Sequence, residues 1–302
     1  MATGEIGLTE SRSNGLLWRR YLELTKPKVL ALILFTALVG MLLAAPGMVS
    51  LSTLVFGLLG IELAAGAGAA LNHVVDQRID AIMARTRERP LPSGDLDARH
   101  AVVLALGMAV TSMSVLVIFV NLLTALLTFA AFVGYAGIYT MYLKRATPHN
   151  IVWGGISGAM PPLLGWTAVT GEVSVEGLLL ALLVFIWTPP HFWALAIKRR
   201  DEYARADIPM LPVTHGLAYT KLQILIYSLL LLWVSLMPFM IRMSGPLYLF
   251  GALGLGLGFV YQALCLFRSE GDALAMRTFG YSILYLSTLF AFLLADHYLR
   301  LV

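Results

Sequence analysis

The chain is a succession of long apolar runs separated by polar connections. Nine runs approach the length of a membrane span, near 28–48, 52–75, 101–120, 122–142, 149–169, 177–198, 219–241, 245–268 and 279–299. About 20 residues at ~1.5 Å rise match the roughly 30 Å hydrocarbon core, so each run predicts a spanning helix. The runs are continuous. A barrel would instead show alternating strands of about ten residues. The first 20 residues are polar, which predicts no cleaved signal peptide. The expected fold is an all-α polytopic membrane protein.

The connections differ in length. Four are short: 46–51, 120–121, 170–176 and 242–244. Two are long, near 76–100 and 199–220, and long ordered loops in compact proteins are usually functional. Each long loop opens on acidic residues and runs into a proline-punctuated segment, Arg89-Pro90-Leu91-Pro92 and Ile208-Pro209-Met210-Leu211-Pro212. Each also follows the second helix of a four-helix block. This pattern predicts two parallel four-helix repeats plus a ninth helix, with the long loops facing each other across a central cavity. Residues 1–27 are read as an N-terminal cytoplasmic segment and 28–302 as one transmembrane domain.

Composition agrees with the pattern. Hydrophobic residues make up 59% of the 302, against roughly 45–50% in soluble domains, and charged residues 13% against roughly 25%. That excludes a water-soluble globule and a disordered chain. Cys265 is the only cysteine, so no intramolecular disulfide exists. The net charge of +4 has a topological origin. Of 21 Lys and Arg residues, 19 fall on the N-terminus and the even-numbered connections, leaving Arg242 and Arg300. The positive-inside rule then places the N-terminus and both long loops in the cytoplasm and the C-terminus on the other side. It also removes nucleic acid as a partner.

Candidate chemistry gathers where the second run leaves the membrane. Asn72, Asp76 and Asp80 are spaced i, i+4, i+8. Each step drifts only about 40° around a helix, so the three oxygen donors form one stripe roughly 12 Å long. Such a stripe suits Mg²⁺, which takes one or two carboxylates and completes its shell with phosphate oxygens and water. The competing reading is a solvated helix end. The preceding small residues, Gly66 to Ala70, favour close approach of a helix or ligand. Arg85, Arg87 and Arg89 follow, with Lys144 and Arg145 after the fourth run. They fit an anion gripped by metal and guanidinium together, or serve topology alone. A second acidic patch contains Asp201, Glu202 and Asp207. Asp201 and Asp207 converge only if the helix ends between them, which makes Asp201 the better ligand. His73 lies beside the stripe. His191 lies inside the sixth run, in Trp187-Thr188-Pro189-Pro190-His191, about 15 Å along a straight helix from Asp201. An intramembrane imidazole is costly and marks a functional site by default. The prolines are expected to distort the helix there.

These residues carry a resemblance. The chain resembles the intramembrane aromatic prenyltransferase superfamily, whose first aspartate-rich motif is matched by Asn72, Asp76 and Asp80. Within it, the chain is most similar to the branch that farnesylates haem b. That likeness rests on Leu24-Thr25-Lys26-Pro27, Arg85-Thr86 with Arg89-Pro90-Leu91, Tyr142-Leu143-Lys144-Arg145-Ala146-Thr147, Pro190-His191-Phe192-Trp193 and Asp201-Glu202-Tyr203. The resemblance implies transfer of farnesyl from farnesyl diphosphate to a haem b vinyl group, with water addition, giving haem O and diphosphate. It implies Mg²⁺ held by Asn72, Asp76, Asp80 and Asp201, and Arg85, Arg89, Lys144 and Lys198 acting with Asp76 and Asp80 on the diphosphate. Asn72, His73, Tyr142, Arg145, His191 and Tyr203 are the expected substrate-binding residues. For His191 the sequence leaves open haem iron, a propionate or the attacking water. The resemblance also implies a bacterial inner membrane and partners among haem-processing or oxidase-assembly proteins. Three rivals share some features: a prenyltransferase with a quinone-precursor acceptor, a transporter and a non-catalytic haem chaperone. The transporter fits less well, because the acidic groups cluster at one face rather than at the midplane.

Overall fold

The computed structural model describes residues 17–300 and is wholly helical over that range. The first 16 residues of the expected N-terminal segment lie outside the described residues. The helices are α1 (Leu17–Leu24), α2 (Pro27–Leu43), α3 (Leu51–Ile82), α4 (Ala98–Phe119), α5 (Leu122–Ala146), α6 (Asn150–Thr170), α7 (Val175–Lys198), α8 (Arg200–Arg205), α9 (Leu211–Thr214), α10 (Gly216–Met240), α11 (Pro246–Arg268) and α12 (Ala275–Leu299). Among the described residues, seven helices are long and apolar enough to cross a membrane, or eight if the α1–α2 pair, bent by 50°, is one span. The run at 149–169 forms α6, but its glycines, prolines and Asn150 keep it out of that set.

Three differences from the sequence reading matter. The helix of the acidic stripe runs well past the apolar run that ends near residue 75, into the stretch expected as loop. It continues to Ile82, and the Thr86 hydroxyl donates to the Asp80 carbonyl at 2.9 Å, satisfying a backbone acceptor at the helix end. The first long loop is therefore shorter, 83–97. The second contains two short helices, α8 and α9. Finally, α7 runs unbroken through Pro189 and Pro190, both buried. Packing on both sides holds the helix where the prolines remove two backbone donors.

α7 is the axis of the larger core. Leu180, Leu183 and Trp187 pack with Leu231 of α10, Phe259 of α11 and Tyr285, Leu289 and Phe290 of α12. Its buried tyrosine hydroxyls are paired: Tyr248 donates its hydroxyl to the Ser235 carbonyl at 2.7 Å, and Tyr285 bonds the Ser235 hydroxyl. Buried Asp296 accepts from the backbone N–H groups of Gly245 and Tyr248, placing its charge at the N-terminus of α11. α2 crosses α6 at backbone contact. A methyl group on Gly40 would overlap the Pro162 carbonyl oxygen, and one on Gly165 the Ala37 carbonyl oxygen. The small-residue stretch in α3 works similarly, with Gly68 admitting Tyr135 of α5 and Gly66 admitting Met108 of α4.

Candidate active site

A cavity of about 150 Å³ opens where α3 meets the end of α5 and the two long loops. Asn72, Asp76 and Asp80 all line it and all are buried, at 5%, 2% and 4% exposure. The stripe is locked along its length. Asn72 Nδ2 donates to Asp76 Oδ2 at 2.7 Å, and Lys144 Nζ reaches the same oxygen at 2.5 Å. Arg89 donates to Asp80 Oδ2 at 2.7 Å. Lys26, just before α2, donates to Asn72 Oδ1 at 2.5 Å. Lys26 is held in the left-handed region at φ 56°, a conformation disfavoured for a side chain of this kind.

α5 brings its groups in by an unusual winding. Gly134–Leu143 forms a π-helix, and the Thr140 hydroxyl donates to the Tyr135 carbonyl at 2.8 Å. Such wide turns recur at functional sites because they re-aim side chains. Here Tyr135 and Tyr139 face the cavity with ring centroids 5.8 Å apart, while Lys144 follows one turn on. Tyr203 of α8 and Arg85 complete the rim. Burial raises the Tyr203 phenol above its ordinary pKa, keeping it a neutral donor at physiological pH. Burial, then the Arg199 guanidinium, pulls Arg85 down from its usual value.

Charge decides what this cavity accepts. Four cations, Lys26, Arg85, Arg89 and Lys144, face two carboxylates, Asp76 and Asp80. The excess is positive, so the cavity suits an anion richer in charge than a single carboxylate. Asp76 Oδ1 is buried without a hydrogen-bond partner among the described residues. An orphaned carboxylate oxygen is expensive unless a ligand completes it. Two carboxylates one helical turn apart, an amide oxygen and this open valence fit a Mg²⁺ that draws its remaining ligands from phosphate and water.

Seven of the expected residues thus meet in one cavity: Asn72, Asp76, Asp80, Arg85, Arg89, Lys144 and Tyr203. His73 lines an adjoining cavity. Five do not join them. Lys198 is exposed and pairs with Asp272 at 3.0 Å, which draws it to the α11–α12 connection. Asp201 is exposed because the chain turns at Arg199 before α8, so the four-residue metal set is not assembled. The described residues hold no group of three or more His, Cys, Asp or Glu side chains placed to ligate one metal ion. Tyr142 points outward at 68% exposure, and exposed Arg145 donates to the Val75 carbonyl at 3.2 Å. His191 is buried between Trp187 and Phe279, with ring centroids 4.2 and 4.5 Å away. Its Nδ1 shares a 2.6 Å hydrogen bond with Ser282 Oγ, a partner the sequence reading did not consider. Conversely, Lys26, Tyr135, Tyr139 and Phe192 line the cavity without having been singled out for it. The i, i+4 spacing of the two tyrosines was the available signal for them.

Comparison with known proteins decides the family. Residues 33–293 match the model of the UbiA prenyltransferase family. The chain belongs to the UbiA prenyltransferase family. Together with the apolar helices, this makes it an integral membrane protein. A protein of Thioalkalivibrio sulfidiphilus named protoheme IX farnesyltransferase is 66% identical over 295 residues, covering 98% of both chains. One of the same name from Marinobacter nauticus is 60% identical over 281 residues, covering 93% of both. The fold is shared with more distant UbiA-like structures. A digeranylgeranylglyceryl phosphate synthase superposes with a TM-score of 0.79 at 16% identity, over 93% of this chain and 98% of that one. A UbiA homologue from Archaeoglobus fulgidus bound to GPP and Mg²⁺ gives 0.65 at 18% identity, over 91% and 99%.

Proposed function

We propose that the chain transfers the farnesyl group of farnesyl diphosphate to a vinyl group of haem b, giving haem O and diphosphate. The observation that carries this is the cavity in which four cations converge on the buried Asn72–Asp76–Asp80 stripe. The acceptor is inferred from the relatives' name. Lys26, Arg85, Arg89 and Lys144 hold the diphosphate and stabilise the charge that grows on it as the allylic carbon–oxygen bond breaks. Asn72, Asp76 and Asp80 would hold Mg²⁺, which supplies further neutralisation of the leaving group. The faces of Tyr135 and Tyr139 stabilise the allylic cation. Ile151, Phe192 and Met210 keep bulk water from it. The terminal vinyl carbon forms the new carbon–carbon bond. Water adds to the other vinyl carbon, and its proton leaves to the released diphosphate. Extraction of haem from membranes carrying the protein, followed by mass analysis, tests the reading. Farnesylated haem is the expected product. A farnesylated quinone precursor with unmodified haem would replace it with the relative that uses an aromatic acceptor.

The same reading extends to topology. Nine spans arranged as two four-helix repeats plus one form a single domain in the bacterial inner membrane. The 83–97 and 199–215 loops face the cytoplasm and the C-terminus the opposite side. The 19-to-2 division of basic residues supports this. Haem-processing or oxidase-assembly proteins would deliver the acceptor and collect the product. A Ser93→Cys variant in a Cys265→Ser background is expected to resist an impermeant thiol reagent added outside intact cells and to react in inverted vesicles. Labelling from outside alone would reverse the topology.

A further inference from the structure

A second cavity lies behind the first. It measures about 410 Å³ and is walled by α1, the start of α2, α3 and the 83–97 loop. Lys26 and Arg89 line both cavities, so these two side chains border each of them. The larger one grades from exposed to buried. Arg19, Lys28 and Val29 stand at its exposed end, whereas His73, at 1% exposure, lines its buried end. Neither ring nitrogen of His73 has a hydrogen-bond partner among the described residues. Among the described residues Arg19 and Lys28 form no ion pair either, and the one carboxylate lining the cavity, Glu23, already faces Arg20 at 3.3 Å.

A buried imidazole with both nitrogens unsatisfied is costly, and such groups in native proteins have a reason. Diphosphate is not that reason, because the cations of the smaller cavity serve it. Size points the same way. Sites for ligands of cofactor size usually enclose about 300–1,000 Å³, a range that includes the larger cavity. It is lined by Leu22, Pro27, Val29 and the stems of long basic side chains, with cations at the mouth and an unpaired imidazole at the back. That complements a flat apolar molecule bearing carboxylates at one edge and a metal at its centre.

We propose that this second cavity holds the acceptor porphyrin, with His73 as the axial ligand of its iron and Arg19 and Lys28 on its propionates. The proposal rests on haem b being the acceptor. The vinyl groups of haem b lie at the edge opposite its propionates. Propionates at the mouth therefore turn the vinyl edge inward, toward Lys26, Arg89 and the diphosphate cavity that they also line. Imidazole is the commonest haem ligand, and a ring nitrogen free of other hydrogen bonds is available to ligate. His191 does not offer this: its Nδ1 is bonded to Ser282, and both ring faces are covered by aromatic neighbours.

The test uses purified full-length protein in phosphatidylcholine nanodiscs, titrated with haem b and followed by Soret absorption and electron paramagnetic resonance. The wild type is expected to show imidazole ligation. His73→Ala should lose that signature and weaken haem binding at least about tenfold. Added imidazole should restore the spectrum, which a folding defect would not allow. Binding of farnesyl diphosphate to the same variant should change less than about twofold. His191→Ala should keep the imidazole signature. An Arg19→Gln/Lys28→Gln variant should weaken binding of haem but not of haem dimethyl ester, which lacks the carboxylates. An unchanged spectrum and affinity in His73→Ala would overturn the iron ligand. Equal wild-type affinity for haem and its dimethyl ester would overturn the propionate anchor and leave the mouth a lipid-headgroup contact. If His73 ligation holds but no haem is farnesylated, the reaction is wrong and the haem site stands.

Discussion

Asp76→Ala and Asp80→Ala are each expected to lower prenyl transfer by ~10³-fold or more, while the protein still inserts and folds. Both carboxylates are buried at the end of α3, and each holds a cation that also lines the cavity, Lys144 and Arg89. Removing one carboxylate takes away a metal ligand and releases its cation. The excess positive charge of the cavity therefore increases. Diphosphate binding without metal should survive or strengthen, and the response of binding to added Mg²⁺ should disappear. This split distinguishes a lost metal site from a collapsed cavity, which would weaken binding under both conditions. Asp95→Asn serves as a control, because Asp95 pairs with Arg20 at 2.8 Å in an exposed bridge of the kind usually worth about 0–1 kcal/mol. Near-normal product with Mg²⁺ dependence retained in either Asp76→Ala or Asp80→Ala would place the metal elsewhere.

How much of this was legible from the chain depends on how local the signal is. The acidic stripe is a property of one helix. Its i, i+4, i+8 spacing puts Asn72, Asp76 and Asp80 together whatever surrounds them, and the structure adds the lysine and arginine that hold them. Arg85 and Arg89 follow in the same loop and remain near. Residues placed by tertiary geometry were harder to read. Lys198 and Asp201 sit one turn apart from each other in sequence terms, but the break at Arg199 and the pull of Asp272 carry them away from the cavity. Tyr142 was the tyrosine of α5 expected at the substrate, three residues beyond Tyr139. The π-winding of Gly134–Leu143 turns Tyr139 inward and leaves Tyr142 at the surface, and nothing in a 3.6-residue period encodes that switch. His191 was read from the cost of an intramembrane imidazole and from the resemblance. Its partner Ser282 is 91 residues away, beyond the reach of spacing arguments. Lys26 was visible within Leu24-Thr25-Lys26-Pro27, without a role in the site. Its pairing with Asn72 spans 46 residues.

The second large effect concerns stability, and here two physical terms oppose each other. Gly165→Ala and Gly40→Ala place alanine in helix interiors, where propensity alone favours it over glycine by about 1 kcal/mol. Packing has the other sign. The added methyl at residue 165 would overlap the Ala37 carbonyl oxygen, and that at residue 40 the Pro162 carbonyl oxygen. Both obstacles are backbone, so no side chain can rotate away, and α2 and α6 must separate. Overpacking of this kind typically costs about 1–3 kcal/mol and occasionally more, and a rigid backbone obstacle belongs at the upper end. Packing therefore outweighs propensity, and a net loss of about 2 kcal/mol is expected for each variant. Gly158→Ala, on an exposed face of the same α6, is the comparison. A methyl there meets nothing within 4 Å, so only propensity acts and the variant should equal or exceed the wild type. Thermal unfolding of the three variants in one detergent reads the difference directly. Separation of α2 from α6 also moves Lys26, at the start of α2, away from Asn72. The two destabilised variants should therefore lose farnesyl diphosphate affinity below their melting temperature, whereas Gly158→Ala should not. Equal melting temperatures for Gly165→Ala and Gly158→Ala would show that α2 and α6 do not meet at backbone contact.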